Sequence, residues 1–381
     1  MKVALVVPGG VDRSATHRVI PCLLALLERL ARQHELHVFA LRQEPRPSRF
    51  PLLGATVHNL GARPRRLRAL AAIGAEHRRA PFDLLHAVWA VPPGVVAAAA
   101  GRVLRRPVLL HLTGGDLSAL PEIGFGACRS WRGRLWLRAA LAGAARVTVP
   151  SEEMRRLAQR RGIAAERLPF GVSLAGWPPR APRPRDPLAP ARLLHVASLN
   201  RVKDQPTLLR AARHLLDAGL AFRLDVVGED TLGGEVQRLA ASLGLSALVE
   251  FHGFLPQARL RPLMERADAL LLASRHEADP IVLLEAAVAG VPTVGTRVGH
   301  LCDWAPDAAL AVPVGDARAL AREAAALLAD EERRLRLARS AQARALREDA
   351  DWSAHRVAQL YRCLQPPSAH AAPQTRPAPE R

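Results

Sequence analysis

The stretch Ser274-Arg275-His276-Glu277-Ala278-Asp279-Pro280-Ile281-Val282-Leu283-Leu284-Glu285-Ala286-Ala287-Val288-Ala289-Gly290-Val291-Pro292-Thr293-Val294 decides how the chain is read. It follows the apolar run 269–272 and leads into a helical pattern. Pro280 falls in the first turn, where a proline loses no hydrogen bond because its N–H would have had no helical partner. The amides of Ile281, Val282 and Leu283 then point out of the helix end with the positive end of the dipole behind them, a geometry that favours a phosphate. Glu285 lies about one turn further in, placed to accept hydrogen bonds from a bound ribose. Glu277 precedes the helix and is placed to receive sugar hydroxyls. Two glutamates eight apart would by themselves be an ordinary feature of a surface loop.

Working outward, strands fit at 192–197, 222–227, 249–252, 269–272 and 291–296 with helices between them, a parallel α/β series. Upstream, Trp177-Pro178-Pro179-Arg180-Ala181-Pro182-Arg183-Pro184-Arg185-Asp186-Pro187 holds too many prolines for a helix or central strand. Residues 175–191 therefore read as a linker or crossing loop. Before it, a strand at 2–7, the turn Pro8-Gly9-Gly10, a helical pattern over 18–33 and a strand at 35–41 open another α/β unit. Further strands at 84–88, 107–112 and 146–149 continue it. The expectation is an α/β fold of two Rossmann-like, doubly wound domains, 1–174 and 192–350, facing a central cleft. Ligands of such sheets sit at the carboxyl ends of strands and at helix N-termini. The Pro- and Ala-rich tail, 366–381, is expected to be disordered.

A second constellation is His195-Val196-Ala197-Ser198-Leu199-Asn200-Arg201-Val202-Lys203-Asp204-Gln205: a strand end, a loop with two cations, then a helix. Lys supplies a compact point charge and Arg a bidentate fork, a sound grip on a diphosphate. Lys203 is the sole lysine after Lys2 in a chain with 54 Lys and Arg, which singles it out. His111 ends a strand and precedes Leu112-Thr113-Gly114-Gly115-Asp116, a loop suited to the cleft; a buried structural role is its alternative. His86 reads as structural. The Asp-x-Asp at Asp349-Ala350-Asp351 falls in a helical region and reads as a helix boundary, so no metal site is expected. Without a Gly-x-Gly-x-x-Gly, the dinucleotide reading is poor.

The stretch from Ser274 to Val294 resembles the Glu-x7-Glu motif of the large retaining glycosyltransferase family of GT-B fold, family 4: Ser, Glu, seven residues, Glu-Ala, then Gly-x-Pro-x-Val. Pro280 stands where that family commonly has glycine. The resemblance implies that Glu285 binds the donor ribose and Glu277 contacts the transferred sugar. The loop at 195–205 is similar to the family's Gly-Arg-Leu…Lys-Gly loop, whose cations stabilise the leaving diphosphate. Ser198 occupies the usual arginine position, with Arg201 beside Lys203. Leu224-Asp225-Val226-Val227-Gly228-Glu229-Asp230 looks like the strand-to-loop near the donor. Glu250-Phe251-His252-Gly253-Phe254 resembles the segment whose backbone meets the nucleobase. Gly9 and Gly10 resemble the glycine loop that approaches phosphates and acceptor, and a histidine near the position of His111 often contacts the donor sugar. The fold implies a last helix, 351–365, returning to the first domain. Implied are a nucleotide-diphosphate sugar donor, a glycan or lipid-linked acceptor in cell-surface or exopolysaccharide assembly, retention at the anomeric carbon and no cofactor. A nucleotide-sugar epimerase on the same scaffold, or an inactive binding protein, is the rival.

Charge adds a partner. Residues 1–175 hold 27 Lys and Arg against 11 Asp and Glu, a net of +16; the remainder holds 27 against 24, a net of +3. A coding bias would load both halves alike, so the asymmetry points to an anionic surface. With one Tyr and no recognised binding module, nucleic acid is disfavoured. An anionic membrane fits better, helped by Arg63-Pro64-Arg65-Arg66-Leu67-Arg68 and by Trp131 and Trp136 among arginines. The four scattered cysteines suggest neither disulfide nor zinc site, and no apolar run spans a bilayer. A cytoplasmic protein, peripheral on the inner face of the plasma membrane, is expected.

Overall fold

The computed structural model describes residues 1–61 and 65–365. Arg63, Pro64 and the tail expected to be disordered lie outside the described residues.

The first sheet contains β1 (Lys2–Val7), β2 (Glu35–Ala40), β3 (Ser48–Leu52), β4 (Ala55–Asn59), β5 (Leu84–Val88), β6 (Val108–His111), β7 (Arg146–Val149) and β8 (Glu166–Arg167). The second contains β9 (Ala191–Val196), β10 (Phe222–Val227), β11 (Val249–Gly253), β12 (Ala269–Leu272), β13 (Thr293–Thr296) and β14 (Leu310–Val312). Their orders are β3-β4-β2-β1-β5-β6-β7-β8 and β11-β10-β9-β12-β13-β14. All pairings are parallel except the β3–β4 hairpin. Leaving out β3 and β8, both orders are the doubly wound 3-2-1-4-5-6, as expected. The crevice where strand order reverses lies between β1 and β5 in one sheet and between β9 and β12 in the other.

The hairpin, β8 and β14 were not foreseen. Pro51 and alternating exposure mark β3 as an edge strand, a weak signal in sequence. Leu53 (φ 50°) and Gly54 (φ 84°) form its two-residue turn, with the left-handed backbone that such turns need.

Residues 178–190 form neither helix nor strand, but they are strapped to the second domain. Trp177 is buried in its core, Arg180 N–H donates to the Val288 carbonyl, and Arg183 meets Asp268 at 2.9 Å. Buried Arg334 donates to the carbonyls of Arg183 (2.5 Å) and Asp268 (3.2 Å). The last helix, Ala350–Leu364, packs against Pro21–Ala31 of the first domain. Its Tyr361 hydroxyl bonds buried His86 at 2.8 Å, and Asp351 pairs with Arg29 at 2.7 Å. Asp349 caps that helix by accepting from Trp352 N–H, the boundary role expected of the Asp-x-Asp.

Candidate functional site

The loops after β9 and β12 meet at the second crevice. Asn200 Oδ1 accepts from the amides of Val202 and Lys203 at 3.1 Å each, an Asx turn that tightens the first loop. Arg275 N–H donates to the Val202 carbonyl at 2.7 Å and ties the loops together. Lys203 Nζ thereby reaches Glu277 Oε1 at 2.5 Å, and Ser274 Oγ donates to the same oxygen at 2.6 Å. Thr296 Oγ1 holds the Ser274 carbonyl. Beneath them His195, fully buried at the end of β9, donates Nδ1–H to the Leu271 carbonyl, and its Nε2 faces the Gln205 amide. Gln205 in turn holds the Ser198 carbonyl. Burial pushes His195 down to about 4, so it braces the loop as a neutral ring.

A cavity of about 540 Å³ opens against the start of the first loop, Val196 to Ser198, and the helix that follows the second. Its second-domain wall includes Ser198, Gly228, Phe254, Ile281 and Glu285; its first-domain wall includes Thr16, Val19, Cys22 and Ala25. Glu285 projects from the helix Ile281–Val288, which starts one residue later than expected, with Pro280 as its cap. Leu283 N–H is taken by the Pro280 carbonyl, so the amides without a partner among the described residues are those of Ile281 and Val282. Gln257 donates to Glu285 at 3.3 Å. Burial pushes the Glu285 carboxyl up to about 7, opposed by Gln257 and the Trp177 indole. Trp177 Nε1 is buried there without completing a hydrogen bond. A ligand hydroxyl or amide entering this corner meets polar atoms with spare capacity.

The β10–β11 edge shapes the rest of the wall. Pairing runs Val226 to Phe251 and then Val227 to Gly253, so His252 is the extra residue of a bulge. Its Nε2 meets Asp225 Oδ1 at 2.6 Å, and Gly228 N–H donates to the Gly253 carbonyl at 2.8 Å. Gly253 (φ 63°) then turns the chain so that Phe254 stands half exposed at the cavity, 5.3 Å from the His17 ring of the first domain. Gly228 must be glycine: its φ is 152°, and a Cβ would sit 2.0 Å from the Ala197 carbonyl oxygen.

The other expected residues are placed differently. Arg201 does not join Lys203; its exposed guanidinium lies 3.9 Å from Glu235, because the Asn200 turn sends Lys203 inward and Arg201 outward. His111 is sealed between β5 and β7, stacked on Phe170 at 4.2 Å and bonded to Thr148. Burial drives it down to about 3, and its Nε2 is buried without a partner. It does not line the cavity, and neither do Gly9, Gly10, Val282, Gly253, Lys203 or Glu277. Gly9 is explained by packing, since a Cβ would meet the Arg42 carbonyl oxygen at 2.7 Å; at Gly10 (φ 80°) it would strike Ile20.

Sequence reading missed Gln257, Trp177 and His276. His276 crosses to the first domain, bonding the Gly114 carbonyl at 2.8 Å and Ser118 Oγ at 3.0 Å. On the same side Asp303 receives the Glu152 and Glu153 amides, and Asp279 receives the Phe170 amide. The domains thus meet on one flank while the cavity separates them on the other. Among the described residues the four cysteines are free thiols, and two groups have metal-ligand spacing. In the first, His37, His58 and Glu76, the carboxylate is already met by Lys2, Arg49 and Arg79. The second, Asp225, Glu250 and His252, is the bulge itself.

Comparison with known proteins agrees with this architecture. Residues 183–344 match the family model described as glycosyl transferases group 1, and residues 19–171 match the glycosyl transferase 4-like domain. The putative colanic acid biosynthesis glycosyltransferase WcaL of Escherichia coli is 31% identical over 44% of this chain and 42% of its own length. The putative glycosyltransferase EpsF of Bacillus subtilis is 31% identical over 56% of this chain and 57% of its own. The chain spans about half the length of the curated relatives it matches. Among solved structures, a sucrose-phosphate synthase from Thermosynechococcus elongatus superposes with a TM-score of 0.80 at 20% identity, over 96% of this chain and 99% of that one. Anabaena Alr3699/HepE, solved with UDP-glucose, gives 0.73 at 19% identity, over 95% and 100%. The first half of the chain therefore matches a glycosyl transferase 4-like domain and the second a group 1 glycosyl transferase domain, joined in the GT-B fold.

Proposed function

We propose that this chain is a glycosyltransferase of family 4 that moves a sugar from a nucleotide-diphosphate sugar to a glycan or lipid-linked acceptor, with retention, in cell-surface or exopolysaccharide assembly at the inner face of the membrane. One observation carries the reading: Glu285 sits in the cavity wall, buried and incompletely paired, beside a helix N-terminus with two unused amides and at the crevice that holds Lys203. A ribose hydroxyl donates to Glu285. The Ile281 and Val282 amides and the Lys203 ammonium meet the charge that grows on the diphosphate as the glycosidic bond breaks. Glu277, which holds Lys203 at 2.5 Å, exchanges that partner for hydroxyls of the transferred sugar when the diphosphate claims the ammonium. The family matches, and relatives named for colanic acid and amylovoran biosynthesis, support the substrate class. HepE, whose structure holds UDP-glucose, supports a nucleotide-sugar donor.

The test is release of nucleoside diphosphate from a panel of nucleotide sugars, with and without a membrane extract as acceptor. Release that needs the extract is expected. Conversion of the nucleotide sugar without an acceptor would instead establish the epimerase.

A further inference from the structure

Three helices cover one face of the first sheet side by side: Arg65–Arg79, Val95–Leu104 and Trp131–Ala142. Together they contain nine arginines, at 65, 66, 68, 78, 79, 102, 132, 134 and 138, and a single acid, Glu76. Glu76 is buried and paired with Lys2, so it puts no negative charge on the surface. The helices on the opposite face, Pro21–Ala31 and Ala350–Leu364, mix both signs. With nine arginines and one acid these three helices hold a net +8, half of the first half's +16, while Glu152–Gln159, packed on the same core, carries two acids and two arginines.

That face also carries large apolar side chains that packing leaves uncovered. Trp131 is 67% exposed and Leu135 53%, and they stand one turn apart on the same side of their helix. Leu67 is 68% exposed on the neighbouring element, and the Arg66 guanidinium lies over the Trp136 ring at 4.7 Å, joining the two helices. The helix that Trp131 opens follows the segment whose Gly114 and Ser118 meet His276 of the other domain, so this end of the face lies toward the flank where the domains touch.

We infer that this face docks the protein on an anionic lipid bilayer, with Trp131, Leu135 and Leu67 entering the headgroup layer and the arginines around them contacting lipid phosphates. The assignment rests on the reading that the protein works at a membrane surface, and adds which face does so. Arginines alone would suit any polyanion. Protruding Trp and Leu gain nothing from a nucleic-acid backbone, but in the interface they add apolar burial to the electrostatic attraction.

The experiment is co-sedimentation of the full chain with phosphatidylcholine vesicles and with vesicles that also contain phosphatidylglycerol, at low and high salt. Two double variants accompany it, Arg132→Glu with Arg138→Glu and Trp131→Ser with Leu135→Ser; all four positions are exposed, so folding is spared. Wild type is expected to pellet with the anionic vesicles only and to release in salt. The charge reversal lowers its partition about tenfold or more, and the apolar pair lowers it about fivefold. Wild type left in the supernatant, or either variant pelleting like wild type, overturns the inference. Retention on heparin without vesicle binding overturns it in favour of a polyanion. Calorimetry with nucleoside diphosphates separates the two readings: diphosphate binding without vesicle binding sinks the docking face alone, and vesicle binding without diphosphate binding sinks the donor site alone.

Discussion

At the carboxyl ends of β9 and β12 a lysine and a glutamate meet at 2.5 Å beside a helix start with unused amides. At the matching ends of β1 and β5 the chain offers Gly9 and Gly10, packed on the Arg42 carbonyl and Ile20, and a strand away His111 lies sealed. The two sheets share one strand order, so the difference lies in the loops. The second domain concentrates charge at its crevice, and the first provides a mostly apolar wall with one acid, Glu28. A shared fold fixes where a ligand can sit; which residues line that place decides what it can hold.

That contrast can be broken at its strongest point first. Lys203→Ala removes the cation of this loop that faces inward and strands Glu277, so turnover in the nucleotide-release assay should fall about 10²–10³-fold. A fall under tenfold would mean that the charge is met elsewhere. Next is the pH response of Glu285. An unfolded glutamate ionises near 4.5, whereas this one holds its proton to about 7. Between those values the folded state binds the extra proton, so stability falls as pH rises through that window, and Glu285→Gln abolishes the fall. Hydroxyls donate better to a carboxylate than to an acid. Diphosphate affinity should therefore rise about tenfold from about pH 6 to pH 8 in wild type and stay flat in the Gln variant. Calorimetry at both pH values, alongside thermal unfolding, reads the two effects.

A smaller effect sharpens the role of the β10–β11 edge. Asp225→Asn weakens the hold on His252 and loosens the bulge that presents Phe254. KM for the donor should rise about fivefold with kcat little changed. The smallest effects belong to the first domain's wall. Gly9→Ala should cost about 1–2 kcal/mol of stability as the Arg42 backbone gives way, while diphosphate affinity stays within about twofold by calorimetry. A large affinity loss with stability intact would return Gly9 to the ligand site.

The division of roles also explains what could be read in the sequence. The strands at Lys2–Val7, Leu84–Val88, Arg146–Val149, Phe222–Val227 and Ala269–Leu272 were legible to the residue because each is an apolar run or a polar–apolar alternation. The β3–β4 hairpin escaped, since Pro51 and an exposed edge erase the usual pattern. Lys203 and Glu277 stood out through an isolated lysine and a spaced motif, and the structure brings them together. The orientation of Arg201 did not stand out, because one Asx turn decides which of two neighbouring cations faces inward; Asn200 was its visible signal. Gln257 and Trp177 gave no local sign, as they reach Glu285 from distant segments through tertiary packing. His276 sits inside the motif itself, but its reach to Gly114 and Ser118 depends on how the domains are seated.

The central claim is that a nucleoside diphosphate bridges Glu285 and Lys203. Calorimetric titration of UDP, GDP, ADP and dTDP into wild type, Glu285→Ala and Lys203→Ala tests it most directly. The account predicts that one base is preferred, that Glu285→Ala abolishes binding, and that Lys203→Ala weakens the diphosphate far more than the free nucleoside. Equal binding by wild type and Glu285→Ala, or no binding of any diphosphate by wild type, would contradict it.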